Sequence, residues 1–366
     1  MRFRARPWIQ NSALLLAATA VALLLSEAMV RRFVSIGSFW FESPSGTPFY
    51  TPDPLREYGL TPGWRGRLIA PEFSTSVAIN SLGFRGEEPS PGDPKSRHVF
   101  VIGDSFVFGV GVEAPAAIPG RLQELMARRY GGCARVWNLG VPGYSPQQYV
   151  YTLEKYLDVV RPEVVVIAIY AGRLPSGAND ISGGADFAVW EQSHASAAER
   201  QAPTPAAAAE PRLQRAGLGS VKRWLFWHSA LYNWLLLRAG PQVRALVHGH
   251  RTLTEADRAR LERGWEILDA QLRRVTSLSA QRPFRFVVVY VPEQSDAMRG
   301  DSSTSARLRA LAARHQCTFI DGFQVVAAGR SRDLYFPVDG HLNASGCDLF
   351  ARGIAREIML DCPAAP

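Results

Sequence analysis

The stretch "HVFVIGDSFVFGVGV", His98 to Val112, decides the fold of this chain. It begins as a continuous apolar run, breaks at Gly103-Asp104-Ser105 and resumes through glycines. A run that is apolar on both faces is typical of a strand buried in a parallel sheet. An acid and a hydroxyl where such a strand ends have two explanations. They cap a following helix, or the serine is presented for chemistry.

Similar apolar runs alternate with amphipathic stretches along the rest of the chain. Strands are predicted at residues 98–102, 134–139, 164–170, 284–291 and 318–321. Helices are predicted at residues 114–130, 146–160, 254–278, 303–315 and 343–360. Five strands with right-handed helical crossovers predict an α/β domain with a flavodoxin-like, doubly wound parallel sheet. Ligands bind such sheets at the carboxyl ends of the strands, which is where Ser105 lies.

Composition excludes several classes of function. The chain has 366 residues and a net charge of +8, yet no block of five or six like charges, so no nucleic-acid partner is predicted. The four cysteines show no CxxC spacing and no histidines at metal-ligand distances, so no metal site is predicted. Gly103, Gly109 and Gly111 do not form G-x-G-x-x-G, which argues against a dinucleotide cofactor.

The amino terminus carries a targeting signal. Arginines at positions 2, 4 and 6 precede the apolar stretch Trp8 to Val30, which is long enough to cross a bilayer. Residues 1–32 are therefore predicted to be a cytoplasmic start and a single transmembrane helix in a bacterial inner membrane. The rest of the chain would lie in the periplasm or outside the cell. The alternative is a cleavable signal peptide, because the fully apolar part, Ala13 to Leu25, is short.

Three regions surround or interrupt the predicted domain at residues 98–360. Residues 33–97 are rich in Pro, Gly and aromatics and are predicted to be an extended wrapping segment. An insertion at 181–260 contains an Ala/Pro-rich part, 193–217, that is predicted to be disordered. The stretch 220–238 in the same insertion predicts a helix that is apolar around most of its circumference. Such a helix is either buried as a lid or rests on a membrane. Residues 361–366 form a tail.

Polar residues follow other predicted strands. Gly140 ends the second strand, Asn179 in "GAND" follows the third, and "YFPVDGHLNASG" places Asp339 and His341 just before the last helix. A serine nucleophile needs a base, a group that orients the base, and donors for the oxyanion. Each residue alone has a structural explanation as a cap, a turn residue or an Asx turn. Together, at four strand ends, they predict an active site.

These residues resemble the four sequence blocks of the SGNH hydrolases, also called GDSL esterases or lipases. The blocks are Gly103-Asp104-Ser105, Gly140 in "NLGVPGYS", Asn179 in "GAND" and His341 in "DGHLN". The resemblance covers residues 78–360, because "INSLGFRGEE" is also similar to membrane-anchored bacterial members.

The resemblance implies a serine esterase or acyltransferase that needs neither a metal nor an organic cofactor. Ser105 would be the nucleophile and His341 the base, oriented by Asp339. The Ser105 and Gly140 amides and the Asn179 side chain would hold the oxyanion.

Two features depart from the family pattern. Many members place the acid three residues before the histidine, where this chain has Val338, whereas Asp339 fits the Asp-x-His spacing of some branches. The third block usually follows its strand at once, but here "AGRLPSG" separates Tyr170 from Ala178 and Asn179. Either Asn179 folds back towards Ser105, or the oxyanion hole is incomplete.

The predicted function is hydrolysis of acyl esters, most simply acetyl esters, of envelope or secreted glycans. One alternative is an O-acetyltransferase that modifies polysaccharide with a membrane acyl-transfer partner. Another is a non-catalytic envelope-binding or assembly protein that retains the fold. The predicted partners are thus an ester substrate, such as an acylated glycan, and the inner membrane.

The cysteines allow one pairing. Cys133 precedes the second strand and Cys362 follows the last helix, so both are expected at the amino-terminal edge of the sheet, although sequence does not determine connectivity. Cys347 and Cys362 are not expected to pair, because the predicted helix between them separates its ends.

Overall fold

The computed structural model describes residues 7–33, 40–70, 72–88, 96–172, 179–193, 229, 231, 253–327, 331–337 and 339–362. The chain divides into two compact units. The first contains residues 1–40, 69–71 and 213–251, and the second contains residues 41–68, 72–212 and 252–366. The parallel sheet and the candidate site belong to the second unit, which is called the main unit below.

The amino-terminal stretch forms helix α1, Pro7–Phe33. It coincides with the predicted transmembrane anchor. Across the part of the chain that the structure describes, no helix is both long and apolar enough to cross a membrane.

The described residues of the predicted wrapping segment contain five short strands before β6 (Arg97–Gly103): β1 Trp40–Glu42, β2 Tyr50–Asp53, β3 Glu57–Leu60, β4 Arg65–Ala70 and β5 Phe73–Ala78. Strands β1, β4 and β5 make one small sheet, and β2 and β3 pair as an antiparallel hairpin. Apolar side chains of this segment are buried in the core of the main unit. Phe49 and Trp64 are examples, and the Phe49 ring lies 5.8 Å from that of Phe108.

The central sheet confirms the predicted doubly wound architecture. Its strands are β6 Arg97–Gly103, β7 Ala134–Gly140, β8 Pro162–Ala171, β9 Arg285–Pro292 and β10 Thr318–Ile320. They lie in the order β10-β9-β8-β6-β7, and every adjacent pair is parallel. The first strand of the sheet lies between the second and the third, so the chain reverses direction across the sheet at β6. That switch point is where such folds bind ligands.

Helices cover both faces of the sheet. They are α2 Ser105–Phe108, α3 Ile118–Tyr130, α4 Pro146–Leu157, α5 Asp180–Ser193, α6 Glu255–Gln281, α7 Gln294–Arg299, α8 Ser303–Arg314, α9 Gly322–Ala327 and α10 Ala344–Glu357. Alternate residues of β6 point into two separate apolar clusters. Phe100 and Ile102 pack towards α4 and α6, whereas Val99 and Val101 pack towards α3 and α10. This two-sided burial explains the continuous apolar run in the sequence.

One helix begins later than predicted. The expected helix over 114–130 is a 3₁₀ turn at Ala114–Ala116 followed by α3. Ala117 between them is extended, with φ −67° and ψ 159°. Pro119, which has no backbone N–H to donate, then lies in the first turn of α3, where a helix tolerates it.

Most of the predicted insertion lies outside the described residues. This applies to the stretch predicted to be disordered, except Ser193, and to the Trp-rich stretch 220–238, except Ser229 and Leu231. The described ends of the insertion are helical: α5 at one end and the start of α6 at the other.

A disulfide joins Cys133 to Cys362, with the two Cα atoms 6.2 Å apart. It connects the start of β7 with the chain after α10. Cys317 and Cys347 are free thiols. The structure therefore makes the pairing that the sequence allowed.

Candidate active site

The turn after β6 presents Ser105. The Asp104 side chain accepts a hydrogen bond from the Phe106 N–H at 2.9 Å and caps the short helix α2, in which Ser105 is the first residue. Gly109 ends α2 in the left-handed conformation, with φ 86°. Both explanations of the opening stretch therefore hold, because the acid caps the helix and the hydroxyl is displayed by it.

The structure brings Ser105, His341 and Asp339 together. The Ser105 Oγ lies 2.7 Å from the His341 Nε2. On the other side of the ring, the His341 Nδ1 is hydrogen-bonded to the Asp339 Oδ1, which also accepts the His341 backbone N–H at 3.2 Å. An Nδ1–H held by a carboxylate leaves Nε2 as the basic nitrogen, and that nitrogen faces the hydroxyl.

A closed loop holds the acid and the base. The Phe336 N–H donates to the His341 carbonyl at 2.8 Å, and the Gly340 N–H donates to the Phe336 carbonyl at 3.0 Å. Gly340 has φ 86°, a conformation that suits glycine. Immediately after the loop, the Asn343 side chain accepts the Ser345 and Gly346 N–H groups and caps α10. Asp339 and His341 are thus fixed between a tight turn and a helix start.

Charges around the imidazole raise its pKa. Burial lowers the pKa of His341, but the carboxylates of Asp339 and Asp104 outweigh it, so the pKa lies above the usual 6.5. The pKa of Asp104 is also raised above its ordinary value. Burial raises its pKa to about 6, although the Phe106 N–H and the Ser105 hydroxyl favour the charged form. The Ser105 Oγ lies 3.3 Å from the Asp104 Oδ2, so a second carboxylate borders the nucleophile.

Two aromatic rings border the site. The centre of the Phe106 ring lies 4.8 Å from that of the His341 ring. The Tyr170 ring stacks on the Phe106 ring, with 4.3 Å between their centres. Tyr170 is near the end of β8, so this strand contacts the base His341 through the Phe106 ring.

Asp180 returns the chain to the end of β8. Its Oδ2 accepts the Tyr170 N–H at 2.9 Å and its Oδ1 accepts the Tyr149 hydroxyl at 2.8 Å. Asn179, which is buried, directly precedes it. The Asn179 Oδ1 accepts the Ser182 N–H at 3.0 Å and so caps α5. These bonds bring the Asn179 backbone to the sheet edge where Ser105 lies, despite the intervening residues. The Asn179 Oδ1 is engaged by the Ser182 N–H at the start of α5.

Gly140 lies at the carboxyl end of β7, beside the backbone of α2. It lies opposite Gly103 in the sheet, but its N–H donates to the Asn138 Oδ1 at 3.1 Å. A Cβ on Gly140 would lie 2.2 Å from the Phe108 backbone N. The residue therefore permits β7 to approach α2 closely. The role of its N–H in holding the oxyanion stays a prediction.

Sequence reasoning missed two residues that touch the site from the wrapping segment. Arg85 is 3% exposed and donates to the Phe108, Gly109 and Val112 carbonyls at 2.9, 2.6 and 2.7 Å. Glu72 accepts the Asp339 N–H at 2.5 Å. Arg85 lies in the stretch "INSLGFRGEE", which was noted only for its resemblance, and nothing near Glu72 in the sequence signals a role.

Comparisons with known proteins agree with the geometry. Residues 101–349 match the model of the GDSL-like Lipase/Acylhydrolase family. A comparison with curated proteins finds no match.

Similar solved structures include a lipase/acylhydrolase from Enterococcus faecalis, at 13% identity and a TM-score of 0.39, covering 71% of this chain and 94% of that one. They also include Axe2, an acetylxylan esterase from Geobacillus stearothermophilus, at 14% identity and a TM-score of 0.39, covering 72% and 95%.

The family match spans more than half of the chain and contains the nucleophile turn and the residues that contact it from the carboxyl-terminal loop. The resemblance inferred from the four blocks is therefore confirmed. The chain belongs to the GDSL-like lipase/acylhydrolase family and is a serine ester hydrolase.

Proposed function

We propose that this chain hydrolyses small acyl esters through an acyl-enzyme on Ser105. The observation that carries the proposal is the continuous hydrogen-bonded series from the Ser105 Oγ through His341 to Asp339. His341 takes the hydroxyl proton as Oγ attacks the ester carbonyl, and returns that proton to the departing alcohol. A water molecule, deprotonated by the same imidazole, then attacks the acyl-enzyme. The carboxylic acid leaves and Ser105 regains its proton.

Oxyanion stabilisation is assigned to the Ser105 backbone amide and to the Asn179 side chain. The Ser105 amide is at the start of α2, where helix geometry leaves backbone N–H groups without intrahelical partners. The Asn179 oxygen caps α5, so its NH₂ group is the part of the carboxamide that can donate to an oxyanion.

The proposed substrate is an acetyl ester on an envelope or secreted glycan. The Phe106 ring packs against the imidazole and Tyr170 stacks on Phe106, which favours a small acyl group over a long one. The net charge of +8 favours an anionic polysaccharide.

The proposed location is outside the cytoplasm, with α1 attached to the inner membrane. The Cys133–Cys362 disulfide supports an oxidising compartment. The arginines before the apolar stretch support a cytoplasmic start. Cells expressing the chain should yield oxidised protein that sediments with the membrane fraction. Protein that is reduced, or that stays in the soluble fraction, would contradict this location.

Labelling of the full chain with a fluorophosphonate probe tests the chemistry. Wild type should react rapidly, Ser105→Ala should not react, and His341→Ala should lose most of the rate. If wild type labels no better than Ser105→Ala, the chain is not a serine hydrolase of this kind.

Asn179→Ala should lower the rate of ester hydrolysis by about 10²- to 10³-fold, the usual effect of removing one oxyanion donor. A negligible effect would show that the side chain does not reach the oxyanion.

A series of p-nitrophenyl esters tests the acyl group. Acetyl should be preferred to butyryl, and octanoyl should be hydrolysed least. Preference for octanoyl would contradict a small acyl site. Free acetate released without any added acceptor identifies a hydrolase, whereas turnover that requires a sugar acceptor identifies an acetyltransferase.

A further inference from the structure

The wrapping segment reaches the loop that carries the acid and the base. The Glu72 Oε2 accepts the backbone N–H of Asp339 at 2.5 Å, across 267 positions of sequence. Next to this bond, the Phe73 ring lies 5.0 Å from the Phe336 ring. Gly111, from the loop after α2, lies against both rings, and a Cβ there would be 2.5 Å from Phe336. Three segments therefore meet beside the Asp339–His341 pair.

The Glu72 bond acts on one particular peptide group. The loop is already closed by the bonds between Phe336 and His341 and between Gly340 and Phe336, and it is packed by Phe73. Neither loop bond uses the Asp339 N–H, which points to Glu72 instead. The Asp339 carboxylate accepts two hydrogen bonds from His341. The position of the Asp339 backbone therefore determines the position of the imidazole.

We propose that Glu72 is a positioning residue for the base, acting through the backbone of Asp339. The proposal rests on the proposed function of Ser105 and His341. It assigns part of the active site to a segment that precedes the first strand of the catalytic sheet. Glu72 does not touch the reacting atoms, so its effect must pass through Asp339.

A double-mutant cycle separates positioning from general stability. Glu72→Ala should lower kcat for p-nitrophenyl acetate by about 10-fold with little change in KM, because small displacements of catalytic groups lower the rate of the chemical step. In an Asp339→Ala background the same change should cost less than about 2-fold, since the group it positions is gone. Equal losses in both backgrounds, or a change in KM alone, would overturn the proposal.

Two further variants serve as controls. Glu72→Gln keeps an oxygen acceptor for the Asp339 N–H and should retain most of kcat. Glu88 is a matched glutamate in the same segment, and its carboxylate accepts the N–H and hydroxyl of Ser81. Glu88→Gln should leave kcat unchanged. If Glu72→Gln is as impaired as Glu72→Ala, the charge of Glu72 and not its hydrogen bond is responsible, and the proposal fails.

A titration of the His341 imidazole by NMR does not depend on turnover. In Glu72→Ala the pKa of His341 should move down towards its value in Asp339→Ala, because a displaced carboxylate supports the imidazolium less well. Glu88→Gln should titrate like wild type. An unchanged His341 pKa in Glu72→Ala would overturn the proposal even if the enzyme is active. Failure of the proposed function would appear separately, as equal probe labelling of wild type and Ser105→Ala.

Discussion

The pKa of His341 sets the pH at which the site can work. The imidazole must be neutral to accept the Ser105 proton, and Asp339 and Asp104 raise its pKa against the lowering effect of burial. Activity should therefore fall as the pH drops through this raised pKa. In a plot of kcat/KM against pH, the acid limb reports the pKa of this group in the free enzyme.

Asp339→Asn should move that limb to lower pH while lowering kcat/KM. The substitution removes the nearest negative charge, so the pKa of His341 falls and the imidazole stays neutral at lower pH. The rate should drop by about 10²- to 10⁴-fold, because the wrong tautomer is no longer disfavoured. Both effects are checked by measuring kcat/KM from about pH 4 to about pH 9, in steps of about one pH unit or less. A limb that moves to higher pH would contradict this account of the site.

Gly140→Ala should destabilise the chain and impair the nucleophile. The added Cβ would lie 2.2 Å from the Phe108 N and 2.7 Å from the Val107 carbonyl carbon, which are backbone atoms of α2. We expect a loss of about 1–3 kcal/mol in the free energy of unfolding, as in overpacked cores, together with slower probe labelling of Ser105. Urea unfolding measures the first effect. Gly132→Ala is the matched control, because a Cβ at Gly132 meets nothing within 4 Å.

At the scale of elements, α2 is too short to hold its own conformation. Its four residues are fixed by the Asp104 cap at one end and by Arg85 at the other, where the guanidinium binds carbonyls that a longer helix would satisfy internally. A cation at a helix carboxyl end is also electrostatically favourable. The helix that presents the nucleophile therefore depends on a residue from the wrapping segment.

Arg85→Met should lower the free energy of unfolding by at least about 3 kcal/mol, because it leaves several buried carbonyls without donors. Labelling of Ser105 should slow in parallel. Arg85→Lys should be nearly as harmful, since one ammonium cannot replace a planar fork of donors. Arg67→Met is the control, because Arg67 is exposed and its guanidinium donates to the hydroxyl and the carbonyl of Ser74 on β5. Equal stability of the Arg85 and Arg67 variants would contradict this role.

The strands were predictable from sequence, whereas one helix at the site was not. Strands β6, β8 and β9 are apolar runs, such as Val164 to Tyr170, that are buried on both faces, and such a run is recognisable without knowledge of the tertiary packing. Helix α5 has no apolar stripe, and two of its residues are Gly183 and Gly184. It is stabilised by the Asn179 cap and by close contact with α6, where a Cβ at Gly264 would lie 1.9 Å from the Ile181 carbonyl. Such tertiary support leaves no periodic signal.

The same distinction applies to the site. Ser105, Asp339 and His341 follow predicted strands or precede a predicted helix, so their convergence followed from topology alone. Glu72 and Arg85 reach the site through the packing of the wrapping segment. The local sequence around them does not indicate which peptide groups they bind. The engagement of the Gly140 amide by Asn138 is likewise a matter of side-chain geometry.

At the scale of the molecule, the disulfide closes most of the main unit into one loop. Cys133 and Cys362 are 229 residues apart. Replacing both with serine should lower the free energy of unfolding by about 2–5 kcal/mol, chiefly because the unfolded chain gains freedom. Urea unfolding of the variant should match that of reduced wild type. Equal stability of the oxidised and reduced wild type would contradict a structural role.

The bond between Ser105 and His341 joins residues 236 positions apart, and it has a consequence for the order of folding. All five strands of the sheet pair in parallel, so every pairing needs a crossover through intervening chain. Loops of this length close late, and proteins dominated by distant contacts fold slowly. The turn after β6, which carries Ser105, can therefore form before His341 reaches it. Because Ser105 has no base until the loop with His341 has docked, we expect newly made chains to become active only when the carboxyl-terminal part of the main unit has folded.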